Sequence, residues 1–335
     1  MRKLLGQIRR RLRPRQTRPV ILMYHRVARP PADPWGLAVT PERFGDQMRM
    51  LRQSRTPLAM TEFVDRLQAG TLPADAAAVT FDDGYRDNLA AARPLLAAEG
   101  IPATVFIATG HVGSPEAFWW DELAELLLAR SQAADCDVLL PTGAIRITLP
   151  PIEADRRHDT GWNASTPPIS IRQRVYLSLW QTLRGMDDGE RIAAMASIRS
   201  ALGGNPANAA DCAMSAAEIG QLVDDGAIAI GGHTVTHPPL SSLPAEAQRS
   251  EIATSMAACE QLAGGPIDGF AYPYGDHDET TKRLVKESGA RWACSTREAA
   301  LDTSRFDLFS LPRIQVRDWS GAHLSDVLRN QWIGA

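Results

Sequence analysis

The 335-residue sequence has no uninterrupted apolar run of the roughly 18 residues that a membrane-spanning helix requires. It is also poor in cysteine, with four thiols that stand far apart and form neither a CxxC pair nor a dense disulfide framework. Its net charge is only −3, which gives no reason to expect nucleic acid as the main partner. These absences predict a protein with reduced, mostly buried cysteines and a substrate other than nucleic acid.

Positive charge is concentrated in the segment 1–19, which carries eight basic side chains and no acidic one. Only Leu4, Leu5 and Ile8 precede its arginine run, so it lacks the apolar stretch of a secretory signal. We therefore expect a cytoplasmic protein with a basic tail that either contacts the anionic inner face of a membrane or is simply solvated. Residues 20–335 are expected to form one elaborated domain, and the sequence leaves the oligomeric state open.

Short apolar runs alternate with helical patterns, which is typical of β/α units around a mainly parallel sheet. Strands are predicted at Val20–Tyr24, Ala76–Phe81, Ala103–Ala108, Ala227–Ile230, Gly269–Ala271, Trp292–Ser295 and Leu311–Val316. Helices are predicted after Thr40, over Asn88–Glu99, from a capping box at Ser215, and over Ala245–Leu262 and Glu279–Glu287. Between about 114 and 215 the alternation fails, and a hairpin near Thr142 with further helices indicates an insertion that forms a cap or side domain.

Two adjacent carboxylates, Asp82 and Asp83, leave a predicted strand on a glycine turn. Neighbouring carboxylates repel each other, so the pair is easier to hold if one binds a cation and the other moves a proton. A second cluster, His233 and His237, follows another predicted strand. If residues 233–237 form a helical turn, both imidazoles face one side and can bind a single metal ion. Alone, each cluster also fits an ordinary turn or an unrelated histidine pair.

Together the two clusters resemble motifs of the polysaccharide deacetylase family, the carbohydrate esterases that share a NodB-like domain. The family motif TFDDG, with an Asn four residues later, matches residues 80–84 and Asn88, and its H-S/T-x-x-H motif matches residues 233–237. The resemblance implies an α/β fold, a distorted (β/α) barrel of about seven strands with a helical insertion. It also implies one divalent ion, with zinc favoured. The roles implied for the motif residues are Asp82 as general base and Asp83, His233 and His237 as metal ligands.

A third family motif matches Pro273, Tyr274 and Gly275, and it implies substrate contacts from Pro273 and Tyr274 and an oxyanion contact from the Tyr274 backbone N–H. Ala271 stands where many members place an Arg that steadies the base. We expect Arg313 or Arg297 to replace it, and we also expect Arg313 at the substrate.

The usual general-acid histidine near the C-terminus has no clear match, since His323 lies in a predicted helix. The exopolysaccharide-modifying branch of the family has a Tyr-His pair near its N-terminus, which Tyr24 and His25 resemble. In that branch the pair fills the general-acid role, so the resemblance implies His25 as the general acid. The first and last strands of a barrel are neighbours, which makes this exchange geometrically feasible. Trp119 is expected either to stack on a sugar ring or to pack in the core.

The resemblance predicts a metal-dependent hydrolase that removes an N-acetyl group from a sugar of a polysaccharide, an oligosaccharide or a lipid-linked glycan. Two alternatives remain open at this point. The same scaffold could act on an N-formyl group or an O-acyl ester, or the chain could bind glycans without turning them over. Retention of both carboxylates and both imidazoles favours catalysis.

Overall fold

The computed structural model describes residues 17–155, 162–204 and 212–330. Residues 1–16, and with them most of the predicted basic tail, lie outside this part of the chain. The strands that it describes are β1 (Val20–Tyr24), β2 (Arg26–Val27), β3 (Ala38–Val39), β4 (Thr56–Pro57), β5 (Ala76–Phe81), β6 (Ala103–Ile107), β7 (Ala134–Leu140), β8 (Gly143–Leu149), β9 (Ile228–Gly232), β10 (Gly269–Ala271), β11 (Trp292–Cys294) and β12 (Ile314–Gln315).

The central sheet consists of parallel strands in the order β11-β10-β9-β6-β5-β1-β12, with β4 beside the start of β5. The sheet curls on itself, because Leu311, just before β12, forms a parallel bridge to Cys294 at the end of β11. The fold is therefore a distorted α/β barrel with seven strands along its path, which confirms the predicted fold class. The predicted last strand, 311–316, is reduced to this bridge and the two residues of β12.

Some helices cover the outer face of the barrel, and others belong to the segment 114–215. Together they are α1 (Pro41–Ser54), α2 (Met60–Gln68), α3 (Arg93–Glu99), α4 (Trp119–Ala124), α5 (Ile152–Asp155), α6 (Ile171–Arg184), α7 (Asp188–Leu202), α8 (Ala216–Val223), α9 (Ala245–Ala263), α10 (Glu279–Glu287) and α11 (Gly321–Asn330). Every residue of β1, β5 and β6 is buried, as expected for parallel strands that are covered on both faces. No helix in the described ranges is long and apolar enough to cross a membrane.

The predicted helix at 88–99 is divided into a π-helical turn, Asn88–Ala92, and α3. Pro94 explains the division, because a proline has no N–H to donate to the preceding turn and its ring disturbs the regular α-helical ladder. The turn has a consequence for the site, since it carries Asn88, whose side-chain amide donates a hydrogen bond to the carbonyl oxygen of His25 at 2.8 Å.

The segment 114–215 contains the predicted hairpin, in which β7 and β8 pair in antiparallel register, and the helices α4 to α7. Its apolar side chains form their own cluster around Leu123, Tyr176 and Ile198, separate from the barrel core. A bidentate ion pair ties α4 to α7, and one of its two hydrogen bonds joins Arg199 Nη2 to Glu122 Oε2 at 2.8 Å. The segment has a core of its own and packs over the carboxyl edge of the barrel through Tyr85 and Ala108.

Candidate active site

The site lies at the carboxyl ends of the barrel strands, where parallel sheets commonly place their functional side chains. Asp82 and Asp83 directly follow β5, His233 directly follows β9, and His25 follows β1. The backbone N–H of Asp82 donates to the carbonyl oxygen of Tyr24 at 3.0 Å, which continues the pairing of β1 with β5 past the strand end. The topology thus brings both predicted sequence clusters and His25 to one place.

Asp83, His233 and His237 converge on a common point. Asp83 Oδ1 lies 3.3 Å from Nε2 of His233 and 3.3 Å from Nε2 of His237. All three side chains are buried, and one ligand atom of each lies within 4.8 Å of the others. Asp83 Oδ1 nevertheless has no hydrogen bond of acceptable geometry. Two imidazole nitrogens and a carboxylate oxygen in this arrangement fit a divalent cation.

The tautomer of His233 is suited to metal binding. Its Nδ1 lies 2.7 Å from the carbonyl oxygen of Ala271, an acceptor, so Nδ1 carries a proton and Nε2 faces Asp83. Burial opposes protonation of His233, but Asp83 and Asp82 outweigh it and raise its pKa, so a bound metal ion would displace the Nε2 proton. Burial lowers the pKa of His237 well below its ordinary value, which keeps this second imidazole neutral. Both rings can therefore act as neutral nitrogen ligands.

The loop that carries the imidazoles is not the helical turn that the spacing suggested. Thr234 and His237 adopt left-handed φ angles of 66° and 58°. The Glu251 carboxylate on α9 accepts hydrogen bonds from the backbone N–H groups of Val235 and Thr236, at 2.7 Å and 2.9 Å. These contacts replace the hydrogen bonds that a helix would supply, and the rings meet through the loop geometry instead.

Backbone strain is concentrated at this site. The non-glycine residues with left-handed φ in the described ranges are Asp83, Thr234, His237 and Tyr274. Such conformations cost on the order of 1–3 kcal/mol each and persist where the surrounding structure holds them in place. Since two of the four residues are metal-ligand candidates and a third is Tyr274, the strain lies where the sequence predicted function.

Asp82 is held by Arg313, which approaches from the segment before β12. The guanidinium donates to both carboxylate oxygens, Nη1 to Oδ1 at 2.6 Å and Nη2 to Oδ2 at 2.7 Å. Its Nε donates to the carbonyl oxygen of Ser295, which fixes its orientation. Burial opposes ionisation of Asp82, but the charge of Arg313 outweighs it and lowers the pKa of the carboxyl. Arg313 thus supplies the arginine contact to Asp82 that Ala271 cannot make.

Replacing Arg313 by Met should shift the acid limb of the pH–rate profile to higher pH. The base acts only when it is ionised, and without the guanidinium the burial of Asp82 raises its pKa. The variant should also lose about 3–5 kcal/mol of unfolding free energy, because it leaves a buried carboxylate unpaired. Arg313→Lys is the matched control, since it keeps the charge and should retain more of the low-pH activity. An unchanged acid limb in both variants would rule out this positioning role.

His25 lies on the other side of Asp82, with its Nε2 4.0 Å from Asp82 Oδ2. The His25 side chain is 15% exposed, against 3% for Asp82, so it faces the open part of the site. Tyr274 packs its ring on His237, with 4.7 Å between the ring centroids. The structure therefore brings together the predicted ligands, base, acid and tyrosine.

These groups line a cavity of about 500 Å³ that also has an aromatic wall. Trp120 and Trp180 come from the 114–215 segment, and Trp35 precedes β3. Three predicted substrate residues do not line this cavity. Trp119 is buried in the cluster of the 114–215 segment, Pro273 is buried beneath Tyr274, and Arg313 lies behind Asp82. Their position gives a packing or positioning role and no direct contact with a ligand in the cavity.

The barrel thus carries two adjacent buried carboxylates beside two buried imidazoles at the carboxyl ends of its strands. The sequence model of the polysaccharide deacetylase family matches residues 69–135 and 200–293, and the gap between these ranges lies inside the predicted insertion. The chain belongs to the polysaccharide deacetylase family, and its enzyme class is that of carbohydrate N-deacetylases. Comparison with curated protein sequences gives no match.

Several solved structures share the fold. IcaB from Ammonifex degensii is 19% identical, with a TM-score of 0.58 over 93% of this chain and 97% of that one. The deacetylase PplD from Streptococcus pyogenes, solved with acetate, is 17% identical, with a TM-score of 0.57 over 92% and 97% of the two chains. The deacetylase domain of BpsB from Bordetella bronchiseptica is 18% identical, with a TM-score of 0.52 over 89% and 95%. At these identities the similarity shows a common architecture.

Proposed function

We propose that this chain removes an N-acetyl group from an N-acetylated sugar in a metal-dependent reaction. The observation that carries the proposal is the convergence of Asp83, His233 and His237 on one point beside an arginine-paired Asp82. This donor set suits zinc, which prefers imidazole and carboxylate ligands in such sites. When bound, a divalent ion supplies Lewis-acid polarisation of a carbonyl group and lowers the pKa of water.

Asp82 is placed to take a proton from an attacking water. Its low pKa keeps it ionised at neutral pH, and the bidentate contact with Arg313 orients its oxygens. A general base of this kind must lie within hydrogen-bonding reach of the proton that it removes, either directly or through one water. The neighbouring metal-ligand group limits the position of that water to the open side of Asp82, which faces the cavity.

His25 is placed to donate a proton to the departing amine. Its Nε2 lies 4.0 Å from Asp82 Oδ2, and both residues line the cavity, so acid and base can reach the same bound group. The backbone N–H of Tyr274 is proposed to stabilise the oxyanion. Its left-handed conformation is supported by Thr296, whose hydroxyl donates to the Tyr274 carbonyl oxygen at 3.2 Å.

The function is tested by measuring acetate release from N-acetylglucosamine oligomers after removal and return of divalent metal. Zinc-dependent release supports the proposal. Release of formate from N-formyl sugars, or turnover of O-acetyl sugars alone, would support the hydrolytic site but contradict the proposed N-acetyl substrate. Binding of oligomers without any release would contradict the proposed reaction. A panel of polymeric, oligomeric and lipid-linked N-acetylated sugars then identifies the acceptor class.

His25→Ala should lower kcat for an N-acetyl sugar by roughly 10²–10⁴-fold, the usual contribution of a general acid or base. Turnover of p-nitrophenyl acetate should fall much less, because nitrophenolate leaves without being protonated. The measurement is the ratio of the two kcat values in parent and variant, with metal content checked in both. His323→Ala, an exposed histidine on α11, is the control. Equal losses on both substrates would argue against His25 as the acid.

A further inference from the structure

Two arginines without an acidic partner line the same cavity as the catalytic candidates. Arg184 ends α6, and Arg317 lies two residues beyond β12. No carboxylate oxygen in the described ranges lies within the 4.0 Å ion-pair distance of either guanidinium. Most other buried or half-buried arginines of the protein have such a partner, for example Arg26 with Asp87.

Arg184 is held by aromatic rings. Its guanidinium carbon lies 4.4 Å from the ring centroid of Tyr274 and 5.5 Å from that of Trp180. Its Nε is buried and has no hydrogen-bond partner. Cation–π contacts orient a guanidinium without neutralising its charge, so the remaining donors are free to bind an anion.

Arg317 contacts the backbone next to Trp35. One of its nitrogens donates to the carbonyl oxygen of Trp35 at 3.3 Å. Gly36 leaves room for this approach, because a Cβ at that position would lie 2.6 Å from Arg317 Nη1. The rings of Trp35 and Trp180 are 4.5 Å apart, and both arginines line the cavity that this tryptophan pair lines.

The charged groups at the cavity therefore sum to a positive charge. Asp82 is neutralised by Arg313, and Asp83 lies between two imidazoles in a site suited to a cation. Arg184 and Arg317 are left uncompensated. A partly desolvated guanidinium is costly unless an anion pairs with it, and guanidiniums bind carboxylate and phosphate groups with well-defined geometry.

We propose that the substrate is an acidic N-acylated sugar, whose ring lies against the Trp35–Trp180 pair and whose anionic group is bound by Arg184 and Arg317. The proposal rests on the deacetylase function above and adds a charge to the substrate. A glycosyl phosphate and a uronic acid share this chemistry. The site should bind either of them more tightly than a neutral sugar, because charge-assisted hydrogen bonds are stronger than neutral ones.

The test is calorimetric binding to the His25→Ala protein, in which turnover is slow and the pair of Asp82 with Arg313 is intact. The probes are the anomeric phosphate of N-acetylglucosamine, N-acetylglucosaminuronic acid and the neutral methyl glycoside. At least one anionic probe should bind about 10- to 100-fold more tightly than the neutral one. The better of the two identifies the anion as phosphate or carboxylate.

Arg184→Gln with Arg317→Gln should abolish this preference while leaving affinity for the neutral glycoside within about twofold. The corresponding double Lys variant keeps both charges and should retain part of the preference. Arg146→Gln, on the exposed hairpin, is the control. If the anion preference survives the double Gln change, the metal centre holds the anion and the proposal is wrong. If all probes bind equally to the parent, it is also wrong, even where acetate release from neutral oligomers upholds the deacetylase function.

Discussion

Asp82→Asn is expected to lower acetate release from N-acetylglucosamine oligomers by at least about 10³-fold, with little change in KM. The amide nearly keeps the shape of the carboxylate but cannot accept a proton from water, so the loss falls on the transition state. A factor of that size corresponds to about 4 kcal/mol in the activation free energy. Initial rates with saturating oligomer measure it directly.

This variant needs a control for stability, because a neutral amide in place of the Asp82 carboxylate would leave Arg313 buried without its counter-charge. Glu122→Gln is a matched change, since Glu122 is also a buried carboxylate paired with an arginine, but it lies in the 114–215 segment outside the cavity. Both variants should lose unfolding free energy, of order 3–5 kcal/mol. Only Asp82→Asn should lose activity per mole of folded protein. Comparable activity losses would mean that instability, and not loss of the base, explains the result.

His237→Ala is expected to abolish stoichiometric metal binding and to lower turnover by more than about 100-fold. Removal even of an outer-shell partner commonly costs 10–100-fold in metal affinity, so loss of a direct ligand should cost more. Elemental analysis of the purified protein and competition with a chromogenic chelator measure the affinity. Chelator treatment of the parent should cause the same loss of activity, and added zinc should restore that activity. One equivalent of zinc should not restore activity to the variant.

His277→Ala provides the comparison for metal binding. Its imidazole hydrogen-bonds to the Gly275 carbonyl oxygen and the Ser310 hydroxyl and does not line the cavity, so its loss should leave the metal content unchanged. If His237→Ala retains one tightly bound ion per chain, the assignment of Asp83, His233 and His237 as the ligand set fails. Activity that is independent of metal in the parent would contradict the proposed reaction as well.

The metal-ligand candidates could be found from sequence because each stands within a few residues of a buried strand. Parallel strands end at one edge, so strand patterns alone place Asp83 and His233 together. The conformation that joins them could not be predicted in the same way. The left-handed φ of Thr234 and His237 depends on Glu251, which comes from a helix later in the chain, and no local propensity indicates it.

The aromatic wall and the base-positioning arginine show where sequence reasoning is weaker. The sequence indicates Arg313 only as one of two replacements for the arginine missing at Ala271. Choosing Arg313 over Arg297 requires knowing how the barrel closes. Trp35, Trp180 and Arg184 belong to segments with no chemical motif, and their role depends entirely on tertiary packing. A useful signal was the absence of an arginine at Ala271, which showed that a partner for Asp82 had to come from elsewhere.

The bridge between Leu311 and Cys294 closes the barrel two residues before Arg313, the residue that holds Asp82. The three ligand candidates follow β5 and β9, two strands in the middle of the sheet, and the last of them in the chain is His237. The guanidinium that orients the base belongs to Arg313, just before the last strand, β12. The residues that could bind a cation and the arginine that orients the proposed base thus lie far apart in the sequence. Displacement of the last strand would therefore leave Asp83, His233 and His237 in place and remove from Asp82 the arginine that orients it.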